Sequence, residues 1–176
     1  QQLNAARLFT VALGGKHGLA EDVFDLVGKV DLSLKGVEEL LNELLDICKL
    51  DAGAMKPTIR DFALGDVLGA LETEFGPVAE HAGLSFKVHK RDLWVRSDSR
   101  LLRRILQNFI SNAMRYTRTG GAVVGCRVRG DHVRVEVWDS GPGIPEDKLK
   151  IIFREFHRLE GPETADVKGL GLGLAI

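Results

Sequence analysis

Cysteine is scarce in this chain of 176 residues: only Cys48 and Cys126 carry thiols, far apart and in no metal-ligand spacing. That excludes a disulfide framework and a cysteine-based zinc site, and a reducing, cytoplasmic setting fits best. An excess of either charge is also missing. Lys and Arg number 24 against 25 Asp and Glu, a formal net charge of −1. No overall field therefore draws the chain to nucleic acid or to an anionic membrane, and any phosphate chemistry must come from a local site. Long apolar runs are lacking as well: charges break them well short of the roughly 18 to 20 residues that span a bilayer, and no cleavable signal is visible. A membrane anchor of the parent protein, if there is one, is expected outside this segment.

What the chain does have is apolar content, 44% of its residues. At this length that builds one sizeable core with a small helical appendage. From Val23 onward apolar residues recur at Val23, Val27, Val30, Leu34, Val37, Leu41, Leu44 and Cys48, alternating steps of four and three, which is a heptad seam. Leu26, Leu40, Leu45 and Ile47 widen it into a stripe suited to more than one neighbour. Residues Gln1 to Leu13 are also helix-compatible, and the run from Gly14 to Gly18 makes a turn, so a helical hairpin is expected. One hairpin cannot hide so wide a face, and dimerisation into a four-helix bundle is the economical solution; packing of the hairpin on its own globular domain is the competing one. Gly53 and Pro57 end the helix and put a domain boundary near residues 53 to 57.

Beyond that boundary the pattern predicts a short strand over Thr58 to Phe62, an amphipathic helix over Leu64 to His81, and a half-buried strand over Leu84 to His89. Trp94 and Val95 suit another short strand. Asp98 or Ser99 caps a helix running through Leu101, Leu102, Ile105, Leu106, Phe109, Ile110 and Ala113, and Ala122 to Arg129 pairs with His132 to Trp138 around Gly130-Asp131. Helices layered on a sheet make this an α+β domain.

Three segments carry the chemistry. In the stretch Asn108 to Thr117, Asn108 and Asn112 lie four apart on one helical face, and an amide oxygen is a neutral, hard ligand that helps hold magnesium without repelling a polyphosphate. Asp139-Ser140-Gly141-Pro142-Gly143-Ile144-Pro145 follows a strand, where a fixed carboxylate can accept a hydrogen bond from an exocyclic amine and glycines let backbone approach a flat ring. Gly169-Leu170-Gly171-Leu172-Gly173-Leu174-Ala175-Ile176 alternates glycine ahead of an apolar stretch, freeing amides to surround phosphate oxygens near a helix start. Each segment alone also has a plainer meaning: capping or solvated asparagines, an ordinary turn, a flexible linker.

In this order and spacing the three segments resemble the N box and the two glycine boxes of the histidine-kinase branch of the GHKL ATPases. Ile152-Phe153-Arg154-Glu155-Phe156-His157-Arg158 is similar to that family's F box, which makes Leu159 to Lys168 the lid over the nucleotide. The resemblance implies a Bergerat-type α/β sandwich that binds ATP and Mg2+ over residues 58–176, preceded by a dimerisation and histidine-phosphotransfer hairpin over residues 1–53. It implies Asn112 and Asn108 as metal ligands. Arg115 stands where the family usually has lysine, keeping the charge with a forked geometry. Tyr116 borders the adenine, Asp139 reads it, and Gly141 and Gly143 approach it. Gly169, Gly171 and Gly173 face the phosphates, and Ile144, Phe156, Lys168, Leu170 and Leu172 complete the expected nucleotide-binding set. The implied reaction moves the γ-phosphate to a histidine on the hairpin and then to an aspartate of a receiver domain, by positioning and charge neutralisation. No nucleic-acid partner and no membrane contact are implied for this segment.

The opening Gln1-Gln2-Leu3-Asn4-Ala5-Ala6-Arg7-Leu8-Phe9 resembles the second half of the phosphoacceptor box of a hybrid-kinase subgroup, with the histidine four residues before Gln1. Gln1 then takes a position one helical turn on, where a polar side chain orients water for phosphatase action, while Gln2 replaces the more usual proline. His17, His81, His89, His132 and His157 fall in a turn, at a helix end, beside strands and in the F-box region, so the segment as it stands is expected not to autophosphorylate in the ordinary way. The family's fold continues past the second glycine box, so residues 58–176 are expected to lack its end. Two other classes stay open: a kinase-like regulatory dimerisation or interaction module with a weak nucleotide site, and a different GHKL ATPase.

Overall fold

The structure, a computed structural model, describes residues 21–154, 157 and 171–175. It divides into two compact units, residues 1–52 and 53–176. The expected first helix and its turn lie outside the described residues.

In the first unit, helix α1 spans Glu21–Asp51. Four residues spaced seven apart on it, Val23, Val30, Val37 and Leu44, are between 36% and 44% exposed, whereas Ile47 is buried. The helix ends where the Ala52 amide donates to the Cys48 carbonyl at 3.1 Å, with Lys49 in the last turn complementing the helix dipole. Among the described residues no helix is long and apolar enough to cross a membrane.

In the second unit, strand β1 (Arg60–Ala63) pairs antiparallel with β3 (Trp94–Ser97), Ala63 opposite Trp94. Helix α2 (Leu64–His81) follows at once, and the Leu93 carbonyl takes its first amide at 2.9 Å in place of a side-chain cap. Leu64, Val67, Leu68 and Leu71, at the spacing of one helical face, are all buried. The helix stops in a Schellman motif: the Leu84 amide reaches the Ala79 carbonyl at 2.8 Å, the Gly83 amide reaches that of Glu80 at 3.0 Å, and Gly83 supplies the positive φ of 68°.

A second sheet, ordered β2–β4–β5, joins β2 (Ser85–Val88) in parallel to β4 (Gly121–Arg129), which runs antiparallel to β5 (His132–Asp139). Its inward residues Val124 and Cys126 meet Leu64, Val67, Leu68 and Leu71 of α2 and Leu106 and Ile110 of helix α3 (Ser99–Tyr116). The core therefore lies between two helices and one sheet face, and the architecture is α+β.

Two boundaries differ from the sequence pattern for a stated reason. The strand expected over Thr58 to Phe62 begins at Arg60, because the Thr58 amide is spent on the Asp98 carboxylate at 2.7 Å and not on a ladder. The strand expected from Leu84 begins at Ser85, because Leu84 closes α2.

Asp98 is the N-cap of α3 and is almost fully buried. Its Oδ1 accepts from the amides of Arg100 (2.9 Å) and Leu101 (3.2 Å), and its Oδ2 from the Thr58 amide and the Arg100 guanidinium. The Thr58 amide, opposed by burial and joined by the Leu101 and Arg100 donors, holds the carboxyl at about 2, down from 3.8. A depressed carboxyl contributes stability that is fully present above its unfolded value of 3.8 and is lost as pH falls through about 2. Replacing Asp98 with Asn is therefore expected to lower the melting temperature most at and above about pH 5, with the gap to the parent closing as pH falls below the unfolded value. A gap independent of pH in thermal scans would refute this account. In the core, Leu68→Ala is expected to cost about 2–5 kcal/mol in urea unfolding, whereas Ile59→Ala, at a position 52% exposed, changes stability by about 0.5 kcal/mol or less.

Candidate nucleotide site

Helix α3 positions the site. Leu106, Ile110 and Ala113 turn one face into the core, which leaves Asn108 and Asn112 on the side turned away from it. Asn108 Nδ2 donates to the Gly173 carbonyl at 2.7 Å, so the first asparagine of the pair is tied to the glycine-rich segment 65 residues later. In that segment Leu172 is fully buried, Gly171 adopts a φ of 74°, and the Ala175 amide returns to the Leu172 carbonyl at 3.0 Å, opening a turn. A Cβ on Gly173 would meet Asn108 at 3.8 Å, an ordinary contact, so among the described residues space alone does not require glycine there.

At its other end α3 meets the aspartate loop. Thr117 closes the helix, its amide donating to the Ala113 carbonyl at 3.0 Å. The chain turns through Gly120, at a φ of 94°, into β4, whose Ala122 stands opposite Asp139 at the end of β5. Ser140 staples this junction: its Oγ donates to the Thr119 carbonyl and accepts from the Gly121 amide, both at 2.9 Å. A side chain at Gly120 would run into Ser140, and one at Gly121 into the backbone of Ser85. The end of α3 and the end of β5 are thereby held side by side.

Asp139 is exposed, and its Oδ1 accepts the Gly141 amide at 2.8 Å, which leaves Oδ2 open among the described residues. A Cβ on Gly141 would lie 2.7 Å from that Oδ1, 3.2 Å from Thr117 Oγ1 and 3.5 Å from the Tyr116 carbonyl. Glycine at 141 is thus demanded by the aspartate itself, a closer constraint than the approach of a flat ring. Gly143 has open space around it and a φ of 71°, so there conformation selects glycine. Ile144 is exposed, as is Arg115 in the last turn of α3.

Asn108 and Gly173 are thus brought together, as are Asp139, Gly141 and the backbone carbonyl of Tyr116, with Asn112 lying between the two junctions along the helix, about 13 Å of whose axis separates residues 108 and 117. Gln1, Phe156, Lys168, Gly169 and Leu170 lie outside the described residues, as does the whole of the expected lid, 159–168. Among the described residues no three His, Cys, Asp or Glu side chains are gathered as metal ligands. Sequence reasoning missed Thr117, which is 5% exposed and whose buried Oγ1 has no hydrogen-bond partner among the described residues. Such a group costs about 1–3 kcal/mol, and nothing in a Tyr-Thr pair at a helix end announces it.

Residues 97–176 match the family of histidine kinase-, DNA gyrase B- and HSP90-like ATPases. The chain is 34% identical over 160 residues to the autoinducer 2 sensor kinase/phosphatase LuxQ of Vibrio vulnificus (strain YJ016), covering 84% of this chain and 19% of that protein. It is 30% identical over 171 residues to hybrid signal transduction histidine kinase D of Dictyostelium discoideum, covering 90% of this chain and 11% of that one. The chain thus spans a fifth or less of the length of these relatives. The crystal structure of full-length ShkA in complex with AMPPNP superposes with a TM-score of 0.72 at 25% identity, covering 99% of this chain and 39% of that one.

Gly141→Ala is expected to leave the domain folded but to push the Asp139 carboxylate off the residue-141 amide, whose hydrogen exchange then quickens by roughly tenfold. In Gly173→Ala the amide of Gly141 is expected to exchange as in the parent; equal rates in all three proteins would show that the Asp139 contact holds nothing in place.

Proposed function

Because this chain carries the catalytic ATP-binding core of a two-component sensor histidine kinase, we propose that the face of α3 from Asn108 to Thr117 is one wall of an Mg·ATP site. The observation that carries the assignment is the double anchorage of that helix, to Gly173 through Asn108 and, just past its C-terminal end, to the Asp139 loop through Ser140. Asp139 presents its open carboxylate oxygen to the exocyclic amine of adenine, with Tyr116 bordering the base and Gly141, Gly143 and Ile144 forming the loop below it. Asn112, with Asn108, offers neutral amide oxygens to Mg2+, which suits a place where, among the described residues, no acidic cluster competes with the phosphates. Arg115 contributes a fixed positive charge. Lys168, Gly169, Leu170, Gly171, Leu172 and Gly173 make the phosphate-facing segment, and Phe156 belongs to the F-box side of the site.

The cation, when bound, neutralises phosphate charge and aligns the γ-phosphate; the chain's own residues hold base, phosphates and geometry, which is most of what phosphoryl transfer requires. The acceptor in this reading is a histidine on a helical hairpin formed with residues 1–53, and from it the phosphoryl group passes to a receiver aspartate, with Gln1 in the water-orienting position. The exposed line Val23, Val30, Val37 and Leu44 supports a second copy of the hairpin completing a four-helix bundle. Residues 58–176 form the Bergerat-type sandwich, and a cytoplasmic setting follows from the need for ATP.

Thermal unfolding with and without Mg·ADP tests the site. A ligand at roughly a hundredfold excess over its Kd adds about 2.7 kcal/mol of apparent stability, and the shift is expected to vanish in Asp139→Asn. A parent protein indifferent to Mg·ADP, or an Asp139→Asn variant that responds as the parent does, would remove the assignment.

A further inference from the structure

The core takes one face of the β2–β4–β5 sheet through Ala122, Val124 and Cys126, so the alternate residues of β4 and their partners stand on the other. From the Gly121 end, that outer face carries Lys87, Val123 and Trp138 in one row, Gly125 and Glu136 in the next, then Arg127 beside Arg134, and last Arg129 beside His132. Successive rows lie about 7 Å apart, which makes a strip about 20 Å long. Trp138 is 62% exposed, and Lys87, Arg127, Arg129 and Arg134 are exposed as well. Asp139, opposite Ala122, belongs to the inner rows, so this strip is separate from the nucleotide reading and stands without it.

Like charges directly opposite each other on a sheet destabilise it, yet Arg127 and Arg134 are such a pair. One carboxylate serves both: Glu136 lies 3.1 Å from Arg127 Nε and 3.8 Å from Arg134 Nη1, and it also takes Trp138 Nε1 at 3.3 Å. Among the described residues neither Lys87 nor Arg129 is in an ion pair. Four cations thus stand against Glu136 on the strip and Asp131 at its tip, an excess of two positive charges on a chain whose formal net charge is −1. Gly125 puts no side chain on this face, which leaves a shallow seat between Trp138 and the two opposed arginines. We propose that the strip is a docking surface for an acidic segment of a partner protein, whose carboxylates the arginines take and whose apolar side chain lies on Trp138. Arginine offers a carboxylate a planar, two-pronged donor, and arginine and tryptophan are the residue types that carry most interface energy. Arriving carboxylates relieve the Arg127–Arg134 opposition, a gain that a face left in water does not have. A polyphosphate chain laid along the strip meets the Glu136 carboxylate in its middle and finds one aromatic ring where a run of bases would need several, whereas a peptide can set an uncharged residue over Glu136.

The test is fluorescence anisotropy of a labelled peptide of Asp-Glu repeats ending in leucine, and of its Asn-Gln counterpart, against the full chain at low salt. The acidic peptide is expected to bind, to weaken as salt rises, and to bind at least roughly tenfold more tightly than the amide counterpart. Arg127→Gln with Arg134→Gln is expected to lower its affinity by roughly tenfold. Lys87→Gln with Arg129→Gln leaves the Glu136 pairs intact, decides the matter should the first variant not fold, and is expected to weaken binding likewise. Arg60→Gln with Arg96→Gln makes the same charge change on the β1–β3 sheet and is expected to bind as the parent does. In Trp94→Phe, Trp138 is what remains of the chain's two tryptophans, and its emission is expected to move to the blue as the peptide binds. A parent that ignores the acidic peptide overturns the proposal, as do strip variants no weaker than the Arg60 and Arg96 control, or binding to which Trp138 is silent. A single-stranded oligonucleotide or vesicles of anionic lipid held by the same arginines in preference to the peptide would give the face to another class of partner and overturn it too.

Discussion

Helix α3 has to satisfy two sides at once, and the rest of the domain follows from how it does so. Leu106 and Ile110 lock one side against α2 and the inner face of the β2–β4–β5 sheet. Once that side is fixed, the helical repeat leaves Asn108 and Asn112 no choice but the other. The helix is pinned along its length as well: Asp98 closes its first turn and draws in the Thr58 amide, and the Thr117 amide closes its last, just ahead of the Gly120–Gly121 turn that Ser140 holds. Precision at the outer side is thus borrowed from a packed core and two satisfied helix ends, the cheapest way to hold polar side chains in register for a ligand.

Glycine does different jobs in different parts of this site. At Gly121 the backbone of Ser85 fills the space a side chain would need, so glycine lets β2 and β4 run side by side. At Gly141 the obstruction is Asp139's own carboxylate, so glycine there leaves that carboxylate room to bond the residue-141 amide. At Gly173, among the described residues, neither crowding nor a left-handed backbone applies. A family motif written as a row of identical letters hides these distinct causes.

The sequence pattern reached the elements that rest on periodicity. The span of α2, the Asp98 cap of α3 and the β4–β5 hairpin around Gly130-Asp131 match it within a residue, because each is set by local repeat and turn chemistry. It faltered where a distant partner claims a backbone group: Thr58 belongs to Asp98 forty residues away, and Leu84 belongs to the helix end before it. Division of the helix-facing strands into two sheets, β1–β3 and β2–β4–β5, was likewise invisible, since strand patterns carry no record of which edges meet. Within the site, Asn108, Asp139 and Gly141 were legible as members of spaced motifs. Thr117 was not, because its distinction is an unpaired oxygen in a crowded place, a property of packing and not of spacing.

That oxygen also shows where local consistency gives way. The domain's other prominent buried polar group, Asp98, is surrounded by donors; Thr117 Oγ1, among the described residues, is not. A valine at 117 would fill nearly the same volume without the penalty, so stability alone gives no reason for a hydroxyl there.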